Sequence, residues 1–206
     1  MRLSKALWEE NAGLARASLE HRFVRGLGDG SLPLGSFRQY VAQDAFFLES
    51  FARAYALALA HSPDGEGMRE FAGLVAGVLE ELRMHEGYAE GWGVKLSGVE
   101  PTAATLNYTD FLLSTASLKS VGETCAAMAP CMRLYAFLGQ SLAEEGYDAS
   151  NSYAEWIETY ADQGFEGLAT KLELLVDRYA EDTPAVRTSY RRAMELELAF
   201  FEANAG

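Results

Sequence analysis

The chain has 206 residues, 49% of them apolar, and its 17 basic against 30 acidic side chains give a formal charge of −13. That length can bury one sizeable core, the apolar and aromatic content excludes a disordered chain, and the negative charge disfavours nucleic acid and anionic lipid as partners. No uncharged stretch approaches the ~20 residues that span a bilayer, and the N-terminus runs into an amphipathic pattern instead of an apolar signal core, so no membrane partner and a cytoplasmic location are expected.

Taken in chain order, the pattern is helical almost throughout. Trp8, Ala12, Ala15, Leu19 and Phe23 recur at spacings of three and four and predict a first helix. Gly26, Gly28, Asp29, Gly30 and Pro33 punctuate the chain before a second helix over 36–60, with Ser36 as its expected N-cap. A turn at Ser62-Pro63-Asp64-Gly65 leads to a third helix carrying Met68, Phe71, Val75, Val78 and Leu82, which Gly91 and Gly93 end. Pro101 opens a fourth with Tyr108, Phe111, Leu112 and Thr115. The fifth spans 120–145 and should be interrupted or kinked at Pro130, which lacks a backbone donor. A short helix over 153–161, another through Phe165 and Tyr179, and a last one started by Asp182-Thr183-Pro184 complete the chain. No repeat or linker divides it, so the expectation is an all-α bundle of seven to nine helices in one domain over 1–206.

The informative positions are polar groups within apolar stripes. On the second helix Asp44 shares a face with Phe37, Val41, Leu48, Phe51 and Tyr55. On the last, Glu197 shares one with Val186, Tyr190, Ala193, Phe201 and Asn204, while Glu195 points to solvent. A carboxylate facing a core must be paired, hydrogen-bonded or neutralised. Each is therefore either a structural acid or part of a pocket, and two in one bundle favour a shared pocket. On the fifth helix Cys131 centres the inward face with Thr124, Met128, Tyr135 and Leu138, and Cys125 is turned away. Two cysteines make no disulfide framework and match no zinc spacing. A buried cysteine is ordinarily a small hydrophobe, and reactivity would require thiolate character from a suitable partner. The residues alone give a constellation of Asp44, Cys131 and Glu197 with tyrosines nearby, and no substrate.

Three segments carry a family resemblance. The stretch from His21-Arg22-Phe23-Val24 through Gly30-Ser31-Leu32-Pro33 to Phe37-Arg38-Gln39-Tyr40-Val41-Ala42-Gln43-Asp44 and Phe51-Ala52-Arg53 resembles the opening signature of the TenA/thiaminase II family. Met128-Ala129-Pro130-Cys131-Met132-Arg133-Leu134-Tyr135 resembles its Pro-Cys-x-x-x-Tyr segment, and Glu197-Leu198-Ala199-Phe200-Phe201 its closing Glu-x-x-Phe-Trp segment. The likeness implies a haem-oxygenase-like helical fold, a homotetramer and a cofactor-free hydrolase. Its substrate would be 4-amino-5-aminomethyl-2-methylpyrimidine, with thiamin as a second, and its product the hydroxymethylpyrimidine used in thiamin salvage. By the same resemblance Cys131 is the nucleophile that adds to the pyrimidine ring, and Glu197 handles the proton at the ring nitrogen. Asp44 holds the substrate's amino group and ring nitrogen, and Tyr108, Tyr135 and Tyr160 form the pocket. Two positions depart from the family pattern: Phe47 stands where tyrosine is common, keeping a stacking surface, and Phe201 replaces the closing tryptophan.

Three other readings were weighed. A carboxylate-bridged di-iron or di-manganese bundle needs Glu-x-x-His, whereas Ser18, Ala58 and Leu82 precede His21, His61 and His85. A haem protein would rest on His21, a helix-end residue expected to be solvated. A non-catalytic protein that binds pyrimidines or serves as a regulatory partner predicts binding without turnover.

Overall fold

The structure is a computed structural model that describes residues 1–206 except Ser97 and Ala149, and all side chains other than those of these two and of residues 84–88. It is 81% helical, with no strand among the described residues. The helices are α1 (Leu3–Glu10), α2 (Ala12–Leu19), α3 (Arg22–Asp29), α4 (Leu34–His61), α5 (Gly65–Gly91), α6 (Ala103–Leu118), α7 (Val121–Glu145), α8 (Ala154–Ala161), α9 (Gln163–Tyr179) and α10 (Pro184–Asn204). None is long and apolar enough to cross a membrane, among the described residues.

The all-α expectation holds, with local differences. The single opening helix is instead α1, α2 and α3. Asn11 breaks the first junction: its side-chain amide donates to the Leu7 carbonyl at 2.8 Å, a local bond that competes with the helical ladder. His21 breaks the second by taking an extended conformation and accepting the Phe23 N–H as the N-cap of α3. Among the described residues ten helices therefore stand where seven to nine were expected. Ser36 is not the N-cap of α4. Pro33 precedes the helix in that place, its carbonyl accepting from the Ser36 and Phe37 amides, and Ser36 is buried in the first turn. α7 runs on as one helix through Pro130, so the proline does not interrupt it.

The helix starts follow from local chemistry. Thr102 accepts from Thr105 N–H, Asp162 from Gly164 N–H, and Thr183 from Val186 N–H ahead of Pro184. Ser120 and Glu123 form a capping box that sets the phase of α7. α4 packs on α5 and α6, and α7 on α8, α9 and α10. One contiguous apolar core joins these two groups, built around large buried rings that include Phe23, Tyr40, Tyr55, Tyr108 and Phe201.

Close approach of α7 to the C-terminal end of α8 depends on Gly139. A Cβ there would stand 2.5 Å from the Tyr160 carbonyl carbon and 2.6 Å from the Ala161 nitrogen. Gly139→Ala should therefore lower stability by about 1–3 kcal/mol in urea unfolding. Gly167→Ala, where a Cβ meets nothing within 4 Å, should instead be neutral or stabilising by up to ~1 kcal/mol. Equal effects at the two positions would deny that the contact at Gly139 is tight.

Candidate active site

α4, α5, α7, α8 and α9 enclose a cavity of about 350 Å³ between the α4–α5 pair and the α7–α9 group. Asp44 and Phe47 reach it from α4, Cys131 and Tyr135 from α7, and Tyr160 from α8. Asp44 is almost wholly buried and Cys131 half-buried. The helical spacing that put Asp44 and Cys131 on inward faces is thus realised, and it brings them to one space. Cys125 is buried, away from the cavity, its thiol pushed up to about 12 by burial.

Glu197 and Tyr108 stand behind the cavity wall instead of on it. Glu197 is 1% exposed. The Tyr108 hydroxyl donates to its Oε1 at 2.7 Å. Burial pushes the Glu197 carboxyl up to about 7, with the Asp44 charge adding a smaller push and the neighbouring Tyr108 hydroxyl and Cys131 thiol holding it back. Burial also drives the Cys131 thiol well above its ordinary value, reinforced by the negative charges of Glu197 and Asp44. A resting thiolate would need a partner that favours the charge, and the described groups that act on this thiol are acids, so Cys131 is a thiol at rest.

An aromatic wall completes the cavity. Phe47 lies 4.8 Å from Tyr108 and 5.3 Å from Phe51, centroid to centroid. Tyr160 packs edge-on to Tyr135 at 4.8 Å and to Phe165 at 4.8 Å. Tyr40 lies beneath: Trp156 Nε1 donates to its hydroxyl at 3.2 Å, and that hydroxyl donates to Tyr135 at 3.4 Å. Burial raises the phenols of Tyr40, Tyr135 and Tyr160 well above their ordinary value, so they are neutral hydrogen-bonding groups.

Phe201 does not line the cavity. It is buried, stacked 5.6 Å from Phe23 and 5.7 Å from Tyr135. Glu195 pairs with Arg191 at 3.2 Å on the outer side of α10, as its phase predicts. His21 is not solvated: its ring is 12% exposed, with Nδ1 accepting from Phe23 and Nε2 bonded to Glu202 at 2.8 Å, so both nitrogens are engaged. Among the described residues no group of three or more His, Cys, Asp and Glu side chains is placed to hold a metal ion.

Sequence reasoning missed Tyr40, Glu81 and Asp162. Tyr40 was legible as the residue one turn before Asp44. Asp162, whose carboxylate caps α9, and Glu81, next to Glu80 on a helix with many exposed positions, carried no signal of facing a cavity.

The features define an all-helical protein whose aromatic-walled cavity carries a thiol, with a buried carboxyl against it. Residues 8–205 match the TENA/THI-4/PQQC family, and the chain belongs to that family. It is 34% identical to the bifunctional TH2 protein of Arabidopsis thaliana over 90% of this chain, but spans only 34% of that protein. It is 33% identical to the aminopyrimidine aminohydrolase of Halalkalibacterium halodurans, covering 88% of this chain and 83% of that one. Among solved structures, a protein described as a TenA family transcription regulator from Silicibacter superposes with a TM-score of 0.91 at 30% identity, over 98% of this chain and 95% of that one. A domain from Shewanella denitrificans described as having a haem-oxygenase-like fold superposes at 0.78 with 11% identity, over 97% and 90%, which fixes the fold alone.

The raised Glu197 carboxyl has a consequence for stability. Unfolded, it ionises near its ordinary value of 4.5; folded, it keeps its proton to about 7. Between those pH values the native state binds more protons, so this group's contribution to stability falls as pH rises through the window, by on the order of 3 kcal/mol, and is level above it. Glu197→Gln should flatten that fall when urea unfolding is followed from about pH 4.5 to 8. A variant that keeps the wild-type slope would place the raised acid elsewhere.

Proposed function

We propose that the protein is an aminopyrimidine aminohydrolase of the cysteine-containing TenA branch, replacing the amine on the methylene arm of aminomethylpyrimidine with hydroxyl. The observation that carries this reading is the Cys131 thiol on an aromatic-walled cavity, under the influence of the buried Glu197 carboxyl that Tyr108 holds in place. The family match and the aminohydrolase likeness supply the substrate class.

Chemically, the thiol passes its proton to the Glu197 carboxylate as sulfur bonds to the ring carbon beside the one bearing the arm. Glu197 passes that proton to the ring nitrogen, which would otherwise carry the incoming electron pair as a costly negative charge. A carboxyl titrating near 7 suits both halves of this transfer. The carbon–nitrogen bond of the arm, which is protonated as an ammonium, then breaks, and the pair leaves on nitrogen as ammonia. Water bonds to the exposed methylene carbon and loses a proton to the released ammonia, the ring nitrogen returns its proton to Glu197, and sulfur departs, regaining that proton from Glu197 as the thiol. Tyr108 holds the Glu197 carboxyl in place, Asp44 anchors the amino group and ring nitrogen, and Phe47, Tyr135 and Tyr160 clasp the ring faces and edge. Water is the only co-reactant, so no cofactor enters. Salvage of degraded thiamin in the cytoplasm, thiamin as a second substrate, a one-domain chain and a homotetramer belong to the same reading.

Cys131→Ala and Glu197→Gln should each lower hydroxymethylpyrimidine release by roughly 10²-fold or more while circular dichroism stays unchanged. Cys125→Ala should retain turnover close to that of the unmodified protein. Near-normal rates in both site variants would reject the mechanism. Tight pyrimidine binding without any release, in the unmodified protein with Cys131 reduced, would instead establish the non-catalytic binding or regulatory reading.

A further inference from the structure

The cavity has a side that the proposed chemistry has not used. α5 contributes Gly73, Leu74, Gly77, Val78 and Glu81 to its wall. Gly73 and Gly77 lie one turn apart, and a Cβ at either would meet nothing within 4 Å. Helix packing does not require glycine there, although each costs about 1 kcal/mol in helix propensity relative to alanine. Their effect is to leave room along α5, in a row that ends one turn later at Glu81.

Glu81 is half-buried, and its charge reaches Tyr55 on α4, Cys131 on α7 and Tyr160 on α8. It therefore faces the same space as the thiol, in a wall whose other α5 side chains are apolar. No Lys or Arg lines the cavity among the described residues. Asp44 is given to the ring in the proposed function, the Asp162 carboxylate on the lining caps α9 by accepting from Gly164 N–H at 2.7 Å, and the Glu197 carboxyl is off the lining, accepting from Tyr108.

A pyrimidine with an aminomethyl arm has a flat, uncharged ring and an arm that is an ammonium when protonated. The ring fits the aromatic wall, which offers the cation nothing but ring faces. We propose that Glu81 is the specificity residue that receives the cationic arm, holding the leaving amine in its protonated form within the space left by Gly73 and Gly77. A protonated amine departs with the bonding pair as neutral ammonia, whereas an unprotonated one would have to leave as an amide anion. The same carboxylate repels phosphorylated pyrimidines. This inference rests on the aminohydrolase reading and adds the residue that selects the arm.

The test uses the full chain at neutral pH with Glu81→Gln, which keeps size and hydrogen bonding but removes the charge, and Glu81→Asp, which keeps the charge. KM and kcat are measured for aminomethylpyrimidine, and hydroxymethylpyrimidine, whose arm is neutral, is measured as a competitive inhibitor. Glu81→Gln should raise KM for the amine roughly 10- to 100-fold, the range for losing a charged hydrogen bond, and leave the inhibition constant of the alcohol within about twofold. Glu81→Asp should recover part of the KM loss. Equal weakening of both ligands would make Glu81 merely structural, and no change in either would place the arm elsewhere; each result overturns the assignment while leaving the hydrolase intact. Absence of turnover in the unmodified protein would overturn the underlying reading, and this assignment with it.

Discussion

A carboxyl group sealed inside a protein must be neutralised, matched by a cation or supplied with hydrogen-bond donors, and Glu197 has no cation among the groups that shift it. Its donor is the Tyr108 hydroxyl, and the Cys131 thiol is the other group that holds its pKa down, so α6, α7 and α10 have to meet at one point with a definite rotation about each axis. The caps supply that rotation: Thr102 starts α6, Ser120 starts α7, and Thr183 starts α10 ahead of Pro184. Once the three helices are phased, Cys131 falls on the cavity wall. The chemistry at the site is in this sense a by-product of satisfying one buried acid.

That arrangement also decides what kind of nucleophile Cys131 can be. Cysteines with depressed pKa values sit near cations or helix N-termini, whereas this thiol is deep in α7 and faces acids, which raise it. In the proposed mechanism, a substrate that takes up the thiol's proton as sulfur adds removes the electrostatic obstacle at the moment it matters, and reactivity is tied to the presence of a basic ring nitrogen. Cys125 shows the contrast: it is wholly buried among apolar residues, and burial alone pushes its thiol up, with no acid acting on it.

Helical periodicity carried most of the architecture and the three central site residues, because a polar side chain in a 3.6-residue apolar stripe stands out whatever its partner. Asp44, Cys131 and Glu197 were legible for that reason. Their pairing was not, since Tyr108 and Glu197 are 89 positions apart and no local pattern records which helices adjoin. The division of the opening helix was hidden because apolar spacing continues across Asn11 and His21, where side-chain bonds to the backbone override it. Glu81 was hidden by its neighbours: a Glu-Glu pair on an amphipathic helix reads as solvated surface, and only the folded cavity distinguishes Glu81 from Glu80.

The two aromatic departures from the family pattern have unequal meaning once the side chains are placed. Phe201 is sealed between Phe23 and Tyr135 and touches no part of the cavity wall, so replacing a tryptophan there alters core volume, and any effect on the ring must pass through Tyr135. Phe47 is on the wall and against Tyr108. A tyrosine hydroxyl in its place would need a partner in a largely apolar lining, and that partner would come from the substrate or from water. With phenylalanine this part of the wall is purely a packing surface, and in the proposed reading polar discrimination is left to Asp44 at the ring edge and to the group that meets the arm. On that reading the missing hydroxyl concentrates specificity on carboxylates, which act strongly there because aromatic walls lower the local dielectric.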